Sequence, residues 1–137
     1  MGNKFVRIFI IFLITIITGI EHGAAREFSD VAKEVTEGIE KGSAREIARH
    51  FGAAIDLKLP GNEGTYSRNQ AELILRNFFS RNPVKSFEVQ HQGPSRDGSV
   101  YVIGTYTSKN GKSYRVYFLM KSISGSMVLH LLQMDEN

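Results

Sequence analysis

Hydrophobic and polar residues alternate with a period of two over most of the last third of the chain. The segments 99–108 and 112–123 are rich in Tyr, Val, Ile, Thr and Phe, which are typical of β-strands. Between them, Asn110-Gly111 favours a tight hairpin turn. A third alternating segment, 127–133, follows a second turn. The pattern therefore predicts two β-hairpins in succession.

The first turn decides which side chains share a face of this sheet. A two-residue loop at Asn110-Gly111 places Lys109 opposite Lys112. The first face then forms a wall of the core and carries Tyr101, Ile103, Thr105, Thr107, Tyr114, Val116, Phe118 and Met120, extended by Leu129 and Leu131. The second face carries Val102, Gly104, Tyr106, Arg115, Tyr117, Leu119 and Lys121, extended by Val128, His130 and Leu132. Because the second face is too apolar to lie fully in water, we expect another surface to cover it.

Helical spacing dominates the earlier part of the chain. Apolar residues recur every three or four positions over 28–41. Two Ser-x-x-Glu or Ser-x-x-Gln sequences, beginning at Ser43 and Ser67, have the form of capping boxes. They predict a short helix over 44–51 and a longer one over 67–80.

Three further segments alternate and predict strands. They are 54–59, a brief return strand at 65–66, and 84–92. In the last of these we expect Phe87 and Val89 to face the core. A bulge after that strand would turn every later side chain to the other face.

The start of the chain has the pattern of a signal peptide. Basic residues precede the uncharged apolar run 8–20, and small residues up to Ala25 suit a signal peptidase. An uncleaved membrane anchor is the alternative, but 13 residues fall short of the roughly 20 that cross a bilayer. We predict a signal peptide over 1–25, cleaved near Ala25, and one domain over 26–137 that is periplasmic or secreted.

Composition excludes several kinds of site. The chain has 137 residues and no cysteine, which rules out disulfides, thiolate metal sites and a cysteine nucleophile. Its formal charge is only +3, with basic residues scattered among acidic ones, so nucleic acid is not an expected partner. The four histidines are far apart in the sequence, and we expect neither a metal ion nor a cofactor.

The order of predicted elements is helix, helix, strand, short strand, helix and then four long strands, which is typical of an α+β fold. Several segments carry a more specific likeness: Leu57-Lys58-Leu59-Pro60-Gly61, Gly64-Thr65-Tyr66-Ser67, Gln70-Ala71-Glu72, Phe78-Phe79, His91-Gln92-Gly93, Gly104-Thr105-Tyr106 and Gly111-Lys112-Ser113-Tyr114-Arg115-Val116. On these segments, the chain resembles the nuclear transport factor 2-like superfamily, also called cystatin-like. More narrowly, it resembles a family of short exported bacterial proteins of unknown function within it.

The resemblance covers nearly all of the predicted domain, and it implies a fold more than an activity. The implied fold is a cone-like curved antiparallel sheet wrapped around N-terminal and inserted helices. Members of the superfamily include ketosteroid isomerases, dehydratases, epoxide hydrolases and many non-catalytic binding or dimerisation domains. The fold alone therefore does not identify the function, which has to be inferred from the residues of the functional site.

An isomerase or dehydratase of this kind needs an acid or a base inside an apolar pocket, where burial shifts its pKa. The alternation places Asp56 and Glu88 on polar strand faces, although a bulge would reverse this for Glu88. His91 is the remaining catalytic candidate, as a base or proton donor beside Tyr101 or Tyr114 inside the cone. Alternatively, it is a histidine at the end of the sheet that bonds to backbone or water.

A partly unfilled cone would hold an apolar ligand, and the predicted lining residues are Phe78, His91, Tyr101, Tyr114, Phe118 and Met120. The alternative is a filled core. The second face has the aromatic and arginine content of a protein interface, and its predicted contact residues are Tyr106, Arg115, Tyr117, Leu119 and Leu132. Homodimers through the sheet are frequent among the proteins that the chain resembles.

We therefore predict an exported, non-enzymatic domain that binds a small apolar ligand or a protein partner, as a homodimer through the second face. One alternative is a cofactor-free isomerase, dehydratase or hydrolase that uses His91 with a pocket tyrosine. Another is a scaffold whose sheet docks a different envelope protein. We expect membrane contact only through residues 1–25 before cleavage.

Overall fold

The computed structural model describes residues 22–137, so the predicted signal peptide lies almost entirely outside the described residues. Within that range three helices precede or interrupt the sheet: α1, His22–Lys41; α2, Ala44–Ala48; and α3, Arg68–Arg81. The first helix begins six residues before its predicted start. In this part of the chain, no helix combines the length and the apolar character needed to cross a membrane.

Local hydrogen bonds explain where the helices end and begin. Gly42 ends α1 in a left-handed conformation, with φ of 63°. Its amide donates to the carbonyl of Ile39 at 3.0 Å, and the amide of Ser43 donates to that of Gly38 at 2.9 Å, as in a Schellman motif. The Ser43 hydroxyl then accepts from the amide of Glu46 at 3.2 Å and caps α2. The second predicted capping box is present at the start of α3, so both predicted helix starts are confirmed.

Six strands form one sheet: β1, Phe51–Leu59; β2, Asn62–Ser67; β3, Val84–Pro94; β4, Val100–Ser108; β5, Ser113–Ile123; and β6, Ser126–Glu136. Their order in the sheet is β2-β1-β6-β5-β4-β3. Neighbours run antiparallel except β1 and β6, which are parallel. The predicted α+β fold is confirmed, and the sheet is curved and mixed rather than wholly antiparallel.

The helices pack on one face of the sheet, which we call the inner face. The rings of Phe78 and Phe79 of α3 lie 5.8 and 6.0 Å from that of Tyr106. In β4, β5 and β6, the buried apolar residues on this side are Val102, Tyr106, Tyr114, Val116, Phe118, Met120, Leu129, Leu132 and Met134. The opposite side is the outer face, whose central strands carry Tyr101, Ile103, Thr105, Arg115, Tyr117, Leu119, Leu131, Gln133 and Asp135.

The turn between β4 and β5 has a three-residue loop, 109–111, rather than the predicted two-residue loop. The amide of Ser108 donates to the carbonyl of Lys112 at 2.9 Å, and Gly111 has a φ of 90°, as in a hairpin with a G1 bulge. A shift of one residue moves every side chain of β4 to the other face. The predicted faces of β4 were therefore wrong: Tyr101, Ile103, Thr105 and Thr107 lie outside, whereas Val102, Gly104 and Tyr106 lie inside.

The predicted faces of β5 are confirmed, with Tyr114, Val116, Phe118 and Met120 buried and Arg115, Tyr117 and Leu119 on the outer face. In β6, a bulge at His130 separates Leu129 from Leu131, which pair with consecutive residues of β5. Leu129 therefore faces inward as predicted. Leu131 lies on the outer face and Leu132 in the core, which reverses the prediction for these two leucines.

A bulge in β3 changes the side on which its second half projects. Val89 pairs with Gly104, whereas His91 pairs with Ile103. Phe87, before the bulge, is buried as predicted. Val89 lies on the inner side beside α1, but 39% of its surface is exposed. His91, after the bulge, lies on the outer face, so its predicted position inside the cone was wrong.

Candidate interaction surface

The predicted ligand-pocket residues divide between the two faces of the sheet. Phe78, Tyr114, Phe118 and Met120 are buried in the core, and the rings of Phe78 and Tyr114 pack edge to face at 5.1 Å. His91 and Tyr101 lie on the outer face. The structure therefore does not bring the six residues together around one cavity, and the four inner residues fill the core.

The buried tyrosine hydroxyls of the inner face are hydrogen-bonded to the end of α3. Tyr106 donates to the carbonyl of Asn82 at 2.5 Å, and Tyr114 donates to Oδ1 of the same residue at 2.8 Å. Burial raises the pKa of Tyr106 well above its ordinary value. Burial, together with the nearby Glu136 carboxylate, also raises the pKa of Tyr114. Both hydroxyls are held as neutral donors, which suits a structural role.

An aromatic line crosses the outer face from the edge strand β3 to the central strand β5. The Tyr101 hydroxyl lies 2.7 Å from Nε2 of His91. On its other side, the Tyr101 ring is stacked with that of Tyr117, with centroids 6.4 Å apart and planes 16° from parallel. These contacts place flat, partly exposed rings side by side on a rigid sheet.

Three rows of side chains continue this surface from β5 to β6. Arg115 lies opposite Asp135, Tyr117 opposite Gln133, and Leu119 opposite Leu131. The rows change along the strands from charged through aromatic to aliphatic. Around the charged row, a shallow depression of about 290 Å³ is lined by Arg115, Tyr117, Gln133 and Asp135.

Ion pairs lie around this central patch. Asp135 contacts Lys58 of β1 at 3.9 Å, and Asp97 contacts Lys121 at 4.0 Å. All four side chains are at least one-third exposed, so each pair contributes little to stability. Hydrogen bonds from Ser99 hold the pKa of Asp97 below its usual value.

The predicted interface residues are also divided. Arg115, Tyr117 and Leu119 lie on the outer face as a contiguous set, whereas Tyr106 and Leu132 are buried in the core and cannot contact a partner there. Sequence reasoning missed Ile103, Leu131, Gln133 and Asp135 as members of this surface. Gly111, after Asn110, is compatible with a three-residue turn, and that turn would have placed Ile103 on the outer face. The sequence carried no comparable signal for the bulge at His130.

The catalytic candidates do not meet in a pocket. His91 does contact Tyr101, but on the open outer face. Glu88 is exposed on the same face, and Asp56 lies at its border, where one oxygen accepts from the Thr65 hydroxyl at 2.6 Å. Among the described residues, no group of three His, Asp or Glu side chains is arranged to hold a metal ion.

A second depression of about 440 Å³ lies between α1 and β3 on the inner side. It is open and is lined by Lys33, Thr36, Glu37, Glu40, Val89 and Gln92. Its lining is mostly polar and its charged side chains carry both signs. It lacks the continuous apolar wall that the predicted ligand would need.

Comparison with known proteins places this geometry among related domains. A family model described as "Domain of unknown function (DUF4783)" matches residues 32–135. The crystal structure of a DUF4783 family protein from Bacteroides ovatus ATCC 8483 is 30% identical, with a TM-score of 0.70 over 76% of this chain and 93% of that one. A second, from Bacteroides uniformis ATCC 8492, is 28% identical, with a TM-score of 0.71 over 77% and 95%.

More distant structures share the fold alone. An NTF2-like protein of unknown function from Shewanella baltica OS155 is 11% identical, with a TM-score of 0.58 over 82% of this chain and 93% of that one. A search of the curated proteins found no match.

Proposed function

This chain belongs to the DUF4783 family of domains of unknown function, and we propose that it is an exported protein-binding domain that self-associates through the outer face of its sheet. The export part of the proposal rests on the sequence pattern of residues 1–25. The self-association part rests on the outer face, where Ile103, Tyr117, Leu119 and Leu131 form a contiguous, half-buried patch on the three adjacent strands β4, β5 and β6.

A patch of this kind favours a partner because large apolar and aromatic side chains gain free energy when a second surface covers them. Tyr117 is well placed as an anchor, since it lies at the centre of the patch and its ring is already ordered by Tyr101. Ordered aromatic side chains lose little conformational entropy on binding. Arg115 and Asp135 supply polar specificity beside it.

The size of the outer face also suits a stable dimer. Strands lie about 4.8 Å apart and rise about 3.3 Å per residue. The six strands are separated by five such spacings, so at the nine-residue length of β4 they present a plane of roughly 700 Å². A standard interface buries about 800 Å² on each partner, so the available surface is of the required order.

A ligand pocket inside the cone has less support, because four of its six predicted lining residues are packed in the core. The enzyme hypothesis has less support for a related reason. His91 and Tyr101 contact each other where water has free access, whereas proton-transfer chemistry in such folds needs an enclosed apolar site.

Sedimentation equilibrium of the purified protein tests the proposal. We expect a dimer, and we expect Tyr117→Glu to raise its dissociation constant by at least about tenfold, because the substitution places a charge in the centre of the patch. The matched control is Leu73→Glu, since Leu73 is an exposed leucine on α3, away from the outer face.

Circular dichroism and urea unfolding establish whether both variants keep the native fold. If Tyr117→Glu does not fold, Arg115→Glu, which changes an exposed side chain beside the patch on the same face, takes its place. A monomeric wild-type protein would overturn the proposal, and so would equal dimer affinity in the folded patch and control variants.

A further inference from the structure

The rows that cross from β5 to β6 have a property that bears on how two copies would meet. In each row the two side chains are complementary: opposite charges in Arg115 and Asp135, two apolar chains in Leu119 and Leu131, and an aromatic ring beside an amide in the row between them. In a symmetric dimer, the same surface of both copies meets about a two-fold axis, so that surface must be complementary to itself. This inference rests on the proposed function, since it concerns the geometry of the same self-association.

Arg115 has unused capacity for an ionic contact. Its side chain is exposed, and within residues 30–137 no carboxylate oxygen lies within 4.0 Å of its guanidinium. Asp135, directly across the ladder, accepts from the side-chain amide of Gln133 at 2.5 Å through Oδ2, and its Oδ1 lies 3.9 Å from the Lys58 ammonium, while its side chain is nearly half exposed. A planar guanidinium and a carboxylate therefore lie on the surface, and each can form an ion pair with a group of opposite charge on another molecule.

We propose that the two-fold axis of the dimer lies between the two sheets and runs along the strands between β5 and β6. A two-fold axis in that position places each β5 side chain over the β6 residue that it faces within its own sheet. The contacts to the second copy are then Arg115 over Asp135, Tyr117 over Gln133, and Leu119 over Leu131, each formed twice. Packed sheets cross at about 30°, so this register applies to the rows near the axis.

Neighbouring positions of the axis are electrostatically worse. An axis along β5 places Arg115 over Arg115 of the second copy. An axis between β4 and β5 places Glu88 over Asp135, because the row Glu88, Thr105, Arg115 and Asp135 crosses four adjacent strands. Like charges that face each other oppose association and disfavour that arrangement.

Charge reversal in two separate chains tests the axis. In the Arg115→Glu homodimer, each introduced glutamate faces Asp135 of the second copy. In the Asp135→Arg homodimer, each introduced arginine faces Arg115 of the second copy. Each homodimer therefore gains two like-charge contacts. We expect each dissociation constant to rise about tenfold or more. In a mixture of the two variants, the heterodimer regains two opposite-charge contacts. Native mass spectrometry should then show the heterodimer well above the statistical proportion, with an affinity near that of the wild type.

The control is a mixture of Arg115→Glu with Glu88→Arg, which the proposed axis does not pair. We expect no preferred heterodimer in that mixture. A statistical proportion of heterodimer between the Arg115→Glu and Asp135→Arg chains would overturn the axis. If Tyr117→Glu still dissociates the dimer, the proposed function stands and only the register is wrong. If the wild type is monomeric, both proposals fail.

Discussion

The hydroxyl of Tyr101 lies 2.7 Å from Nε2 of His91, and the pair joins β3 to β4 on the outer face of the sheet. The two residues are diagonal neighbours, since His91 pairs with Ile103 and Tyr101 pairs with Gly93. The contact depends on the bulge in β3, which brings His91 to the same face as Tyr101. Without the bulge, this histidine would project towards α1.

Replacing Tyr101 with phenylalanine should cost less than about 1 kcal/mol of unfolding free energy. The substitution removes an exposed hydrogen bond but keeps the ring that stacks on Tyr117. Urea unfolding measures the loss. Tyr66→Phe is the control, because within residues 30–137 its hydroxyl makes no hydrogen bond. Equal losses in the two variants would show that the bond to His91 contributes nothing.

Replacing Asn82 with alanine should be much more costly, by about 2–3 kcal/mol of unfolding free energy. The change removes the acceptor of the Tyr114 hydroxyl and of the Asn110 side-chain amide, and it leaves the buried tyrosine hydroxyl without that partner. Asn77→Ala on the exposed side of α3 is the matched control. A loss at Asn82 no larger than the loss at Asn77 would contradict the assignment.

Alkaline pH should destabilise the protein through its buried tyrosines. The folded pKa of Tyr106 is raised by burial, whereas the unfolded value is about 10. The neutral hydroxyl therefore contributes stability that is fully present below about pH 10 and is lost as the pH rises through the folded pKa. In urea unfolding between about pH 8 and 11, the midpoints should fall above about pH 10, and this fall should be shallower in Tyr106→Phe. Equal slopes would contradict this prediction.

Replacing Gly104 with alanine should destabilise the protein by roughly 1–3 kcal/mol through steric overlap. A Cβ at this position would lie 2.5 Å from the carbonyl oxygen of Glu88 and 2.8 Å from the ring of Phe87. The ring covers the glycine as β3 crosses it. Gly52→Ala is the control, since its nearest contact would be an ordinary 3.5 Å. Thermal unfolding compares the two, and similar midpoints would show that β3 moves aside at little cost.

The sequence was sufficient for the features that depend on local chemistry. The serines before α2 and α3 cap their helices as predicted, because the capping box is a contact within four residues. The faces of β5 were predicted correctly as well, since its alternation is unbroken from Tyr114 to Met120. In both cases, residues close together in the sequence determine the local structure.

The errors occurred where one residue changes the register. Asn110-Gly111 suits either a two-residue or a three-residue loop, and contacts from outside the turn decide between them. The Asn110 side chain donates to the carbonyl of Arg81 at 3.2 Å and to Oδ1 of Asn82 at 2.8 Å. These contacts join residues almost thirty positions apart, so periodicity alone could not identify them. The bulges at Gln90 in β3 and at His130 in β6 likewise reversed the faces predicted for His91 and Leu131.

The parallel pairing of β1 with β6 has a consequence for the order of folding. The sixth strand in chain order, β6, lies in the middle of the sheet, between the β1–β2 hairpin and the three strands β3 to β5. Until residues 126–136 are available, these two parts have no shared ladder, and the contacts that join them span most of the chain. Such nonlocal pairing slows folding. The sheet therefore stays in two separate parts until β6 inserts between them, and only then can it form as one cooperative unit.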